Sequence, residues 1–139
     1  MNRKIKMLLL PMIIAAFLCA CGELEVEEGV QINIEESALY KKSDIQSAID
    51  VCVDYFNMNF EGCRLIDISY NEELCQKEKY GWEYQYKEDE AIILTSTFDV
   101  DENGGDGSLN PNFTYNNWNW ILTRSDSNGG EWTLQTWGY

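Results

Sequence analysis

The densest chemistry in the chain lies in one short loop. Asp99-Val100-Asp101-Glu102-Asn103-Gly104 sets oxygen-bearing side chains at alternate positions and ends on glycine. A tight loop of that pattern can wrap calcium, which takes about six to eight oxygens. Asp99, Asp101, Asn103 and Asp106 are the candidate ligands. Asn110 stands at the last ligand position, where a glutamate would grip with both oxygens, and the flanks read as strands. A solvated hairpin loop whose Gly and Asp residues supply unusual dihedrals is the competing reading. Asp67, a carboxylate on a strand, is the catalytic candidate. It sits on the opposite parity from Ile66 and Ile68, which also fits a solvent-facing aspartate. Cys63 and Cys75 form the preferred disulfide pair because both lie near element ends; three reduced thiols, with Cys52 as buried packing, are the alternative. No histidine occurs anywhere. That removes Ser-His-Asp and Cys-His catalysis and any imidazole-based zinc site.

The elements that must position these groups follow a leader. Arg3, Lys4 and Lys6 precede an apolar run from Met7 to Leu18, the layout of a secretory signal. Leu18-Cys19-Ala20-Cys21 resembles a bacterial lipobox, with Cys21 as the lipid-bearing first residue of the mature chain. The expected organisation is a lipoprotein signal peptide over 1–20, a lipid-anchored acidic tether over 21–40 and a single α+β domain over 41–139. Two or three acyl chains hold a protein on a membrane without crossing it. The expected location is therefore the outer, extracytoplasmic face of a bacterial cell membrane.

Charge narrows the partners. The 139 residues carry 24 acidic and 10 basic side chains, a net charge of -14. Arg3, Lys4 and Lys6 leave with the leader, so the mature 119 residues stand near -17. Such a chain repels phosphate backbones, which excludes a nucleic-acid binder. It stays soluble and attracts cations or basic partners.

Within the tether, Val30, Ile32 and Ile34 alternate as a short edge strand would. Ser43-Asp44-Ile45-Gln46 reads as a capping box. Ile45, Ile49, Cys52, Val53, Phe56 and Phe60 then recur at helical spacing, predicting a helix over 44–60. A strand over 64–70 follows. Asn71 and two glutamates open a second helix to about residue 86, although Trp82, Tyr84 and Tyr86 also alternate with period two. Residues 91–100 form the clearest strand, and 101–114 a Gly- and Asp-rich loop. Trp118, Trp120 and Leu122 alternate in another strand. Ser127-Asn128-Gly129-Gly130 signals a hairpin, and a last strand carries Trp132, Leu134 and Thr136. Trp118, Trp120 and Trp132 are expected in the core. Trp137 and Tyr139 lie on the opposite parity from Trp132, so one of those two sets lines a pocket or faces solvent.

The order helix-strand-helix-strand-strand-strand predicts an α+β roll: two helices packed on one face of a curved antiparallel sheet. Glu90 to Ser96, Phe98 to Asp101, the run Gly104-Gly105-Asp106-Gly107-Ser108-Leu109-Asn110-Pro111, Trp118 to Leu122 and the terminal Trp137-Gly138-Tyr139 together resemble small uncharacterised lipoproteins of gut Firmicutes. The resemblance spans about residues 43–139. It implies a cystatin-like, nuclear-transport-factor-2-like cone, which in relatives holds a small-molecule pocket, an enzyme site or nothing. It brings no established activity.

The expectation is thus a non-enzymatic module that binds an envelope protein or small ligand and needs no cofactor. The alternatives are a calcium-stabilised surface domain and a cone enzyme, which the resemblance implies would use a buried carboxylate such as Asp67 as general base, its pKa raised by burial.

Overall fold

The computed structural model describes residues 29–139. The expected signal peptide, Cys21 and the first part of the expected tether lie outside the described residues. The elements are β1 (Gln31–Ile34), α1 (Lys42–Asn59), β2 (Cys63–Tyr70), α2 (Glu72–Tyr86), β3 (Glu90–Val100), β4 (Thr114–Arg124), a 3-10 turn (Asp126–Asn128) and β5 (Thr133–Gly138). The α+β class and the element order hold, with β1 added ahead of α1.

The sheet runs β1-β2-β3-β4-β5 in space. β1 pairs parallel to β2, while every other pair is antiparallel. The sheet is therefore mixed, where a wholly antiparallel one was expected. Residues 31–34 belong to it, so the folded unit begins well before residue 41.

α1 buries Ile45, Ala48, Ile49, Cys52, Val53 and Phe56 on one stripe, as their spacing dictates. Ser43 does not cap it. The helix starts from the Lys41 carbonyl, which accepts the Asp44 and Ile45 N–H groups. The turn before it is already built by the Ser37 hydroxyl, which accepts the N–H groups of Leu39 and Tyr40. Gln46 instead donates to Asp50 at 2.9 Å. α2 is capped as expected, with the Asn71 side chain accepting the Leu74 N–H at 2.8 Å.

Register assigns the two faces of the sheet. Tyr70, Leu94, Trp120 and Trp137 lie in one row across it, and Leu65, Phe98 and Tyr115 in another on the same face. α1 covers this face: the Phe56 ring sits 5.4 Å from Phe98 and 6.4 Å from Trp120. Trp120 is fully buried, and its indole N–H donates to Ser96 Oγ at 2.8 Å. Ile93, Ile121 and Thr136 occupy the opposite face.

α2 runs beside the stretch of β3 that extends past the end of β2. There the Ala91 N–H donates to the Glu83 carboxylate at 3.2 Å, and Lys79 grips the same oxygen at 2.6 Å. Leu74, Glu78 and Trp82 share one cavity with Ile93 and Ile121. α2 therefore serves the face that α1 leaves, so the two helices do not share a face as expected. The space between α1 and the sheet, where a cone would open, is packed with aromatic rings.

Candidate binding site

β5 is an edge strand. Among the described residues it pairs with β4 alone. Its sequence, Thr-Leu-Gln-Thr-Trp-Gly, carries no charge. Trp137 sits 4.7 Å from the Tyr55 ring of α1 and still leaves 40% of its surface exposed. Gly138 adopts a φ of +134°, a conformation L side chains rarely take, and still pairs with Asn119. Tyr139 then lies 5.5 Å from Trp118 and 5.9 Å from Tyr115, yet remains 78% exposed.

Two cavities flank this edge, one toward each face. The first, of about 320 Å³, lies toward α2 and is lined by Leu74, Glu78, Trp82, Ile93, Asn119, Ile121 and the run Thr136 to Tyr139. The second, of about 370 Å³, lies between the end of α1 and the 101–113 loop. Tyr55, Phe60, Trp118 and Trp137 supply its apolar wall, and Asn59, Glu61, Asp106 and Ser108 its polar rim. Rings with a few polar groups among them are the usual composition of a ligand site. The Trp118 indole nitrogen is buried without a hydrogen-bond partner. Phe60, Phe98 and Tyr115 stand nearly perpendicular to the Trp118 ring, so it is enclosed by other rings. Cys63 also lines the second cavity. Burial pushes its thiol pKa up, and Asp101 and Asp106 push it further.

The proposed calcium ligands Asp99, Asp101 and Asp106 are each engaged in hydrogen bonds in and beside their own loop. Asp99 is held by the Thr114 hydroxyl at 2.5 Å and Arg64 at 2.9 Å. The Thr114 hydrogen bond, with Arg64 beside it, holds the Asp99 carboxyl below its ordinary range. Asp101 accepts the N–H groups of Asn103 and Gly105. Asp106 accepts the Ser108 N–H and hydroxyl, which lower its pKa. The carboxylates thus shape their own loop. Among the described residues, no three His, Cys, Asp or Glu side chains group as a metal site.

The Cys63–Cys75 disulfide is corrected: Cys52, Cys63 and Cys75 are all free thiols. Cys63 begins β2 and Cys75 follows its end in α2. Eight extended residues span roughly 25 Å, far beyond what a disulfide bridges. Asp67 is half-buried on the face away from α1, between Gln31 and Thr97 in the register, and so outside the space where a cone would open.

Trp132 is buried, donating its indole N–H to the Asp44 carbonyl at 2.9 Å and stacking under Arg124. Trp137 and Tyr139 are the exposed set, as their parity allowed. Sequence reasoning missed Glu78, Trp82 and Ile121 as site residues, because they reach the cavity from two elements far apart in sequence, α2 and β4.

No protein-family model matches this chain, and neither a curated protein nor a solved structure matches it. Among the described residues, no helix is long and apolar enough to cross a membrane.

Proposed function

We propose that the chain is a lipid-anchored, extracytoplasmic domain that binds a ligand or partner without catalysis. Its binding surface is the C-terminal edge of the sheet. The observation that carries this reading is the pair of cavities that flank β5, one toward each face, with Trp82 and Ile121 lining one and Tyr55, Trp118 and Trp137 the other. Trp137 and Tyr139 are large rings left partly in water, and such rings with a polar rim are typical of recognition surfaces. The leader and the Leu18-Cys19-Ala20-Cys21 pattern support the anchor. The acidic tether supports a domain held away from an anionic membrane.

Two experiments test the reading. Metabolic palmitate labelling is expected on the wild-type protein and on Cys19→Ser, and not on Cys21→Ser. Label retained on Cys21→Ser would remove the anchor as drawn. A photo-crosslinking amino acid in place of Trp137 is expected to give a discrete adduct in cells, while one in place of Met58, exposed on α1, gives none. Absence of an adduct at 137, or the same adducts at both positions, would remove the β5 edge as the site.

A further inference from the structure

We infer that the partner of this site is an extended, basic peptide segment that adds to β5 as a sixth strand. The inference rests on the binding reading above and names its partner class. Three features of the edge point to it together.

The first is the edge itself. Soluble proteins blunt exposed edge strands with lysine, proline, inward charges, bulges or very short length. From Thr133 to Tyr139 there is no charged residue and no proline. The opposite edge, β1, is only four residues long and runs into Glu35 and Glu36. β5 carries one irregularity, where its pairing with β4 shifts between Leu134 and Thr136, so the two edges are unequal and the stretch from Thr136 to Gly138 is the part left open.

The second is the placement of the two cavities. In strand addition, backbone hydrogen bonds supply affinity and alternate side chains enter pockets on opposite faces. The β5 edge has one apolar cavity toward each face. Ile93, Ile121 and Trp82 line one, and Tyr55, Phe60 and Trp118 the other. Trp137 borders both. A free-standing small molecule would need one such cavity; an added strand uses both at once.

The third is charge. Glu78 lines the first cavity, Glu61 and Asp106 the second, and no lysine or arginine lines either. The whole chain stands at -14. A second copy of this chain would bring the same sign to the edge and be repelled. A segment carrying lysine or arginine beside its apolar residues is complementary on both faces.

The test uses a capped peptide of about eight residues that repeats two valines and two lysines, enough for one strand. That order puts valine and lysine on each face of an extended chain. Three peptides are titrated into the full-length protein, with tryptophan fluorescence for affinity and amide exchange for location. They are the basic peptide, its glutamate counterpart, and the basic peptide with N-methyl groups on its pairing-edge amides. The basic peptide is expected to bind and to slow exchange of the outward amides of β5. The acidic and N-methylated peptides are expected to bind at least about tenfold more weakly. The double variant Glu61→Lys, Glu78→Lys, checked for folding by circular dichroism, is expected to reverse the charge preference.

Equal binding of the N-methylated peptide would overturn strand addition. So would protection that maps away from β5, or an unchanged preference in the charge-reversed variant. If no peptide binds while the adduct at residue 137 persists, the peptide class falls and the binding site stands. If the adduct is absent as well, both readings fall.

Discussion

Glu72 shows how much a single carboxylate organises. It accepts the Ser37 hydroxyl at 2.6 Å, the Ala38 N–H at 3.1 Å, the Gln76 amide at 3.1 Å and the Tyr70 hydroxyl. These bonds fasten the segment after β1 to the start of α2. Partial burial works against the charge, but the Ser37, Tyr70 and Ala38 hydrogen bonds outweigh it and hold the carboxyl below its ordinary 4.5. A depressed folded pKa gives stability that is present above the unfolded value and lost as pH falls through the folded one. Glu72→Gln is therefore expected to lower stability at pH 7 by about 1 kcal/mol, allowing for solvent screening. The deficit should shrink as the pH drops below 4.5, in thermal melts across that range. The same Tm difference at every pH would refute a charge-based role. The thiols give a second prediction at this scale. Cys52 and Cys75 are buried and Cys63 is half-buried, so mass spectrometry should find iodoacetamide on Cys63 alone of the three. Its rate should still be rising above pH 9.0, the ordinary thiol value, and Asp101→Asn should speed it at fixed pH. The residue types of these sites were legible in the sequence, but their partners were not. Asp101 and Asp106 look like ligands because acidic loop residues serve metals and turns equally well. The backbone N–H groups they accept show what they do in the turn, and no residue type alone announces that.

The helices are the elements whose pattern speaks plainly, since α1 has six buried residues at helical spacing. The Asn71 cap was readable for the same local reason. β1 was readable as an alternating run, but its parallel pairing with β2 was not, because α1 intervenes and the sequence carries no signal for that register. The face served by α2 was hidden too: it buries only Cys75 and Lys79, Leu74 and Trp82 line the cavity, and Tyr80 and Tyr84 stay exposed. The α1–β2 connection carries a sharp constraint. Gly62 has a φ of +69°, and a Cβ there would stand 2.5 Å from Asp101 Oδ2 and 3.0 Å from Gly105 Cα. Gly129 has a φ of +78° with open space around it. Gly129→Ala should therefore cost only the conformational penalty, about 1 kcal/mol. Gly62→Ala should cost clearly more, by about 1–2 kcal/mol, because the loop must also move. Urea titrations of the two variants separate the terms, and equal losses would mean that the Asp101 loop yields freely.

At the scale of the whole molecule, an open edge and a large negative charge oppose one another. The β5 edge offers unpaired backbone groups and no local charge, which invites pairing with another chain. The net charge of -14 keeps like molecules apart. The charge was fully legible from composition, and the α+β class from the order of elements. The edge was not, since an edge is defined by which strands lie beside it. The balance predicts self-association wherever the charge is removed or screened. Near the pI of about 4.2 the chain loses its repulsion. At roughly 1 M salt the screening length falls to about 3 Å. Acid alone is ambiguous, because it also releases the Glu72 hydrogen bonds, so the salt arm at pH 7 decides. Sedimentation should show monomers at low salt and dimers at high salt. Thr133→Lys puts a charge at an exposed position on the edge and should keep the protein monomeric in both. If salt-driven dimers persist in Thr133→Lys, hydrophobic contact elsewhere holds them, with the exposed Tyr80 and Tyr84 of α2 as the next surface to alter. If they disappear, the charge of the chain is what reserves the β5 edge for a partner of opposite sign.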